Sequence, residues 1–261
     1  MSHEEVKTTI NGSVLEVTLD RPKANPIDSK TSQIMGEVFA DFRDNPDLRV
    51  AIITGGGEKF FCAGWDLKAA AEGEDATTDF GVGGFGGLQE LPDLNKPVIA
   101  AVNGIACGGG FEVMISADII IAAEHASFAL PEINAGTLAD AATIKLPKRI
   151  PYHIAMDLLL TGRWMDSKEA AHWGIVNEVV AAENLLARAR EVAQLLSSGP
   201  PLVFAAIKET IRHTQTMGFQ ESIDMLNSQQ LPTVKKLYNS EDMKEGALAF
   251  AEKRSPVWKG C

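Results

Sequence analysis

Apolar and polar positions alternate from Val14 to Leu19, the period of a half-buried strand, and apolar residues then recur at helical spacing over 31–42. Short β-branched runs follow at 48–54, 97–103, 117–122 and 175–180, each bounded by Gly, Pro or Asn and separated by helix-length segments. Such runs predict strands buried on both faces, and their alternation with helices predicts a buried sheet with crossovers. After Val180 the pattern is wholly helical, over 182–197, 201–216, 219–237 and 242–253, with breaks at Pro200-Pro201 and Asn239-Ser240. The chain therefore reads as an α/β core over 1–196 followed by a helical region over 197–261 that packs on the core or on a neighbouring subunit.

At 261 residues and 45% hydrophobic content the chain can bury a substantial core, and a single body with a helical tail fits it best. Its formal net charge of −11, with no run of Lys or Arg, excludes a nucleic-acid track. Three cysteines, Cys62, Cys107 and Cys261, form neither a disulfide framework nor a metal-like spacing, which fits a reducing cytoplasm. The five histidines, at 3, 125, 153, 172 and 213, show no ligand spacing, so no metal is expected. Met1 to Glu5 has no signal-peptide character, and no apolar run approaches the roughly 20 residues of a membrane span. The stretch from Gly81 to Gly87 is glycine-dense enough to predict a flexible loop, a candidate lid.

Two carboxylates stand out. Glu112 follows Gly108-Gly109-Gly110-Phe111, where glycines leading into a helix let backbone N–H groups approach a ligand closely and the helix dipole favours negative charge. Glu132 follows Ser127-Phe128-Ala129-Leu130-Pro131, an apolar stretch and a proline that predict a fixed turn. The pair suits proton transfer.

With Phe60-Phe61-Cys62-Ala63-Gly64-Trp65-Asp66-Leu67, Pro97-Val98-Ile99-Ala100-Ala101-Val102-Asn103-Gly104 and Trp173-Gly174-Ile175-Val176-Asn177, these segments resemble the crotonase, or enoyl-CoA hydratase, superfamily in order and spacing along essentially the whole chain. Arg21-Pro22-Lys23-Ala24-Asn25, the Gly83-Gly84-Phe85 segment and Pro256-Val257-Trp258-Lys259-Gly260 are similar to the carnitinyl-CoA dehydratase branch. The resemblance implies the crotonase α/β fold, a repeated ββα core with a C-terminal helical region, assembled as a homotrimer or a dimer of trimers.

It also implies reversible hydration of an α,β-unsaturated acyl-CoA, from crotonobetainyl-CoA to carnitinyl-CoA, with coenzyme A as part of the substrate and no separate cofactor. A general short-chain enoyl-CoA hydratase is the nearest alternative; isomerase, thioester hydrolase and non-catalytic CoA-binding scaffold are the others. By position, the backbone N–H groups of Trp65 and Gly109 form the oxyanion hole, Glu112 holds or activates water, and Glu132 exchanges a proton at the α-carbon. Lys23, Ala24, Lys59, Ala63, Lys68, Phe250 and Lys253 match positions that meet CoA, the last two from a neighbouring subunit.

One segment departs from the family. Relatives usually read Gly-x-x-Pro-x-x-Gly-Gly after the second glutamate, whereas this chain reads Gly136-Thr137-Leu138-Ala139-Asp140-Ala141-Ala142-Thr143 and is one residue shorter. The resemblance gives the Asp140 N–H a water-holding role. The Asp140 side chain reads either as a helix N-cap or as a third carboxylate attracting a cationic acyl group. Trp65, Phe80, Phe85 and Phe128 are the aromatics near the motifs that could face such a cation.

Overall fold

A computed structural model describes residues 4–75 and 77–261; the reading of Met1 to His3 lies outside the described residues. Among the described residues, ten strands form two sheets: β1 (Val6–Asn11), β2 (Val14–Leu19), β3 (Val50–Gly55), β4 (Phe60–Cys62), β5 (Val98–Val102), β6 (Ile105–Cys107), β7 (Ile119–Ala123), β8 (Ser127–Ala129), β9 (Met165–Asp166) and β10 (Glu178–Val180). The larger sheet runs β1-β2-β3-β5-β7-β10, parallel except for the β1–β2 hairpin. The smaller runs β4-β6-β8-β9, with only β8 and β9 antiparallel. Helices α1 (Ser29–Asp44), α2 (Leu67–Ala71), α3 (Gly109–Met114), α4 (Glu132–Ala135), α5 (Asp140–Lys145), α6 (Tyr152–Thr161), α7 (Ser167–His172) and α8 (Leu185–Ser197) accompany them.

The connectivity repeats. β3, β5 and β7 each enter the large sheet, their successors β4, β6 and β8 each enter the small sheet, and α2, α3 and α4 follow in turn. Three strand ends and three helix starts are thereby gathered at one end of the small sheet.

Central strands are apolar on both faces because both faces are covered. Ala51 and Ile53 of β3 join a core with Met35, Phe39 and Phe42 of α1, while Val50 and Ile52 join a second core with Ile99, Ile121 and Leu185, Ala189 and Ala193 of α8. The remaining helices are α9 (Pro201–Thr214), α10 (Phe219–Asn227), α11 (Pro232–Tyr238) and α12 (Glu241–Glu252). Ala206, Leu231 and Val234 of this region make a small cluster of their own. No helix among the described residues is long and apolar enough to cross a membrane.

Three expectations are corrected. The segment 219–237 is two helices, because Gln229 takes a left-handed φ of 51° and Pro232 begins a new helix at its first turn. The run at 175–180 is extended only over Glu178–Val180. The glycine-dense stretch is a packed segment instead of a flexible lid: Gly83, Gly84, Gly86 and Gly87 are buried, and a single 3₁₀ turn, Phe85–Gly87, lies between α1 and α3. A Cβ on Gly87 would fall 2.4 Å from the Gly36 nitrogen, and Gly86 N–H donates to Ser32 Oγ at 3.0 Å. Here the glycines permit close packing.

Candidate active site

The β4–α2 and β6–α3 junctions meet at glycines. Gly64, at φ 89°, lies so close to the second junction that a Cβ would sit 2.6 Å from the Cys107 carbonyl oxygen and 2.9 Å from the Gly109 nitrogen. Trp65 and Gly109, the residues expected to offer backbone donors, are thus brought together. The three glycines before Glu112 are each required by a different neighbour: a Cβ on Gly108 would meet Glu132 Oε1 at 2.9 Å, on Gly109 the Phe85 ring at 2.4 Å, and on Gly110 the Cys62 carbonyl at 2.2 Å.

The β4–α2 junction is held from outside. Asn25 is buried and donates from Nδ2 to the Gly56, Phe60 and Phe61 carbonyls, at 3.0, 2.9 and 3.3 Å. Ala63 N–H donates to the Ala24 carbonyl at 3.0 Å, so two of the residues assigned to CoA touch directly. Arg21 bridges Asp28 at 2.6 Å and Asp66 at 3.3 Å, and Trp65 Nε1 donates to Glu74 at 2.6 Å. A rigid scaffold of this kind is what a preformed donor pair requires.

Glu112 is only 7% exposed, on α3. Its Oε1 accepts from the Ala142 N–H at 2.8 Å. Ala142 is the third residue of α5, whose N-cap, Ala139, has no side-chain acceptor, so Glu112 takes one of the free amides of that helix start. Burial pushes the Glu112 carboxyl up to about 7, against the opposing Ala142 bond and with the help of the Glu132 and Asp140 charges. Behind it, Lys145 Nζ donates to Ser116 Oγ and that hydroxyl to the Glu112 main-chain oxygen, both at 2.7 Å. Burial lowers the Lys145 ammonium to about 8.

Glu132 opens α4 directly after Pro131. Burial is the main cause raising its carboxyl, and Asp140 adds to it. Its Oε2 is buried without a hydrogen-bond partner. Both carboxyls are thus displaced upward, and the Glu132 charge is among the causes that raise Glu112. That is an arrangement for sharing a proton near neutral pH.

The expected cap moves, because the shortened turn starts α5 at Asp140, and the amide two residues further on, that of Ala142, is the one bonded to Glu112. Asp140 is the first helical residue instead of the cap, exposed, with its charge felt by both glutamates. Phe128 is fully buried edge-on against Phe111 and cannot face a ligand; Phe85, paired edge-on with Phe80 at 5.6 Å, covers Gly109.

The basic candidates are spread out. Lys23 is exposed in a left-handed conformation at φ 77°, Lys59 precedes β4 with its Nζ 5.5 Å above the Phe60 ring, and Lys68 is exposed on α2. Phe250, 88% exposed, and Lys253, the left-handed C-cap of α12, belong to a helix packed on α11. Cys62 and Cys107 sit beneath the site with thiols pushed up by burial to about 12 and about 11, which keeps them uncharged.

The raised Glu112 carboxyl sets a stability prediction. With about 7 in the folded chain and 4.5 as its ordinary value, the native state binds the extra proton between those pH values, so stability falls as pH rises through that window. Glu112→Gln keeps an acceptor for Ala142 and removes the charge. The variant should match the parent at pH 4 and exceed it by about 3 kcal/mol at pH 8, roughly 1.4 kcal/mol for each pH unit of the window. Urea unfolding at both pH values measures this; an equal effect at pH 4 and pH 8 would rule out a buried, proton-binding Glu112.

A model of the enoyl-CoA hydratase/isomerase family matches residues 9–261. The chain is 56% identical over 258 residues to a carnitinyl-CoA dehydratase of Proteus mirabilis, covering 98% of this chain and 99% of the relative. It is 57% identical to that of Citrobacter koseri with the same coverage. Among solved structures, an enoyl-CoA hydratase from Mycobacterium tuberculosis superposes with a TM-score of 0.89 at 35% identity, covering 99% of this chain and all of that one.

Proposed function

The chain belongs to the enoyl-CoA hydratase/isomerase family, and within it we propose reversible hydration of an α,β-unsaturated acyl-CoA, with crotonobetainyl-CoA and carnitinyl-CoA as the substrate pair. The observation that carries the chemistry is the pair of buried, upward-shifted carboxyls, Glu112 and Glu132, beside the glycine-made junction of Trp65 and Gly109.

The thioester oxygen accepts from the Trp65 and Gly109 N–H groups, which stabilise the charge that develops there. Ionised Glu112 takes a proton from water as its oxygen bonds to the β-carbon. The π electrons move toward the thioester, and protonated Glu132 delivers its proton to the α-carbon. Proton return from Glu112 to Glu132 through solvent completes the cycle. In the reverse direction the two carboxyls exchange roles. The reaction as written needs no metal or redox cofactor.

Lys23, Ala24, Ala63, Lys59 and Lys68 are assigned to CoA. Phe250 and Lys253 are assigned to the CoA site of a neighbouring copy, in a trimer or dimer of trimers formed through the helical region of 197–261. Ile207, Ile211 and Phe219, all at least half exposed, provide apolar surface for such contacts. A cytoplasmic location fits the three unpaired cysteines.

The betaine assignment rests on the kinship with the two dehydratases and on Asp140, a carboxylate at the rim of the glutamate pair. Loss of enoyl-thioester absorbance, followed with crotonobetainyl-CoA and crotonyl-CoA side by side, tests it. The betaine substrate should be preferred, and Asp140→Ala should erase about tenfold of that preference, the equivalent of roughly 1.4 kcal/mol. Preference for crotonyl-CoA would make the chain a general short-chain hydratase, as the kinship with the mycobacterial enoyl-CoA hydratase would favour. An equal loss on both substrates would remove Asp140 from the recognition of charge.

A further inference from the structure

Among the described residues, two buried side-chain atoms have no hydrogen-bond partner: Glu132 Oε2 and Gln89 Nε2. A buried amide left unpaired costs stability, so its retention calls for a ligand or a role. Gln89 follows the Phe85–Gly87 turn, which is laid along α3: Phe85 covers Gly109, and a Cβ on Gly86 would meet Val113 Cγ2 at 2.2 Å. Glu90 N–H donates to the Gly83 carbonyl at 2.9 Å and fixes the start of the next stretch. Gln89 is thereby held over the side of α3 that carries Glu112, and its amide favours the ionised form of that carboxyl.

We propose that the Gln89 side-chain amide positions the water that adds to the β-carbon, and equally the β-hydroxyl that leaves in the reverse direction. This rests on the hydratase reading above. Glu112 Oε1 is already engaged by Ala142, which leaves Oε2 to accept a proton of the water. A water molecule offers two protons and two lone pairs. With one proton directed to Glu112 Oε2 and one lone pair accepting from Gln89 Nε2, the other lone pair is left to bond to the β-carbon. Hydration then consumes the water as before: its oxygen joins the β-carbon, and one of its protons goes to Glu112. Gln89 keeps both its amide hydrogens throughout. It is a positioning residue, acting on the water without exchanging a proton.

Gln89→Leu and the unbranched Gln89→Met remove the donor at similar volume. Each should lower kcat for hydration by about 10–100-fold with KM changed much less, as expected for a hydrogen bond used to hold a reacting group. Exchange of the α-protons of butyryl-CoA in D₂O needs Glu132 and the oxyanion donors but no attacking water, so it should stay within about twofold of the parent. At pH 5, where Glu112 is protonated and the amide has no charge to stabilise, neither variant should melt below the parent. Hydration kept within about twofold in a variant would overturn the proposal. So would equal losses of hydration and exchange, which would make Gln89 a structural support. If the parent chain itself hydrates no enoyl-CoA but exchanges α-protons, the hydratase reading fails and the role of Gln89 fails with it.

Discussion

Glu112→Gln will lower kcat for hydration by about 10²–10⁴, the range of a positioned acid–base group, while leaving KM and the fold nearly unchanged. The amide oxygen can still accept from Ala142 at the start of α5, so the surroundings keep their geometry, but glutamine cannot take the proton of water. The pH profile carries more information than the rate. Hydration starts with Glu112 ionised and Glu132 protonated, and dehydration starts with the reverse; both states contain one proton on the pair. Because the overall reaction takes up no net proton, kcat/KM in the two directions must follow one and the same pH curve. That curve should be bell-shaped. It rises as the first proton leaves the doubly protonated pair and falls as the last one leaves, the falling limb lying near the value of about 7 to which Glu112 is raised. Measured kcat/KM for enoyl-CoA and hydroxyacyl-CoA across pH 4.5–9 checks this. A shared profile with a single limb, or none, across that range would show that the two carboxyls do not work as a one-proton pair.

The stability and activity effects of this residue run in opposite directions. A carboxyl buried enough to be raised destabilises the folded chain above pH 7, and the same burial brings it into the range where it can exchange protons at neutral pH. A glutamate there only for packing would have no reason to retain that cost when glutamine fills the same volume.

How much of this could be read from the chain depends on what each feature is made of. β3 and β5 were legible because a strand covered on both sides must be apolar at every position, and Val50 to Ile53 and Val98 to Val102 are. β4, β6 and β8 are three residues each, too short to show a period, and they lie inside motifs whose residues serve other neighbours. β1 is an edge strand with mostly exposed positions, so Val6 to Asn11 lacks the apolar alternation of its partner. Glu112 and Glu132 announced themselves through the glycines and the proline beside them. The Ala142 donor could not, since every residue but proline has an N–H and only the start of α5 decides which one is free. Gln89, between Leu88 and Glu90, resembles any polar residue of a surface turn; its burial is a tertiary fact. The glycine-dense stretch misled for a related reason, because glycine serves close packing as readily as flexibility, and composition does not tell the two apart.

Gly64→Ala should be as damaging as loss of the glutamate, and it addresses donors that no side-chain substitution can delete. The residue has φ 89°, and its added Cβ would meet the Cys107 oxygen and the Gly109 nitrogen at 2.6 and 2.9 Å. Both obstacles are main chain, so no rotamer change relieves them; the β4–α2 and β6–α3 junctions must move apart. Those junctions carry Trp65 and Gly109, whose N–H groups have to converge on one oxygen, and a misaligned donor costs about 10²–10³ in kcat. A loss of at least that size is expected, with retained circular dichroism. Gly57→Ala supplies the control. Gly57 has a similar φ of 77° but nothing within 4 Å of the added Cβ, so it isolates the cost of left-handed backbone, about 1–2 kcal/mol, from the cost of the contact. It should lower the melting temperature and leave kcat unchanged. If Gly64→Ala behaves like Gly57→Ala, losing stability alone, the oxyanion is not held between Trp65 and Gly109, and the proposed mechanism would need another site for the developing charge.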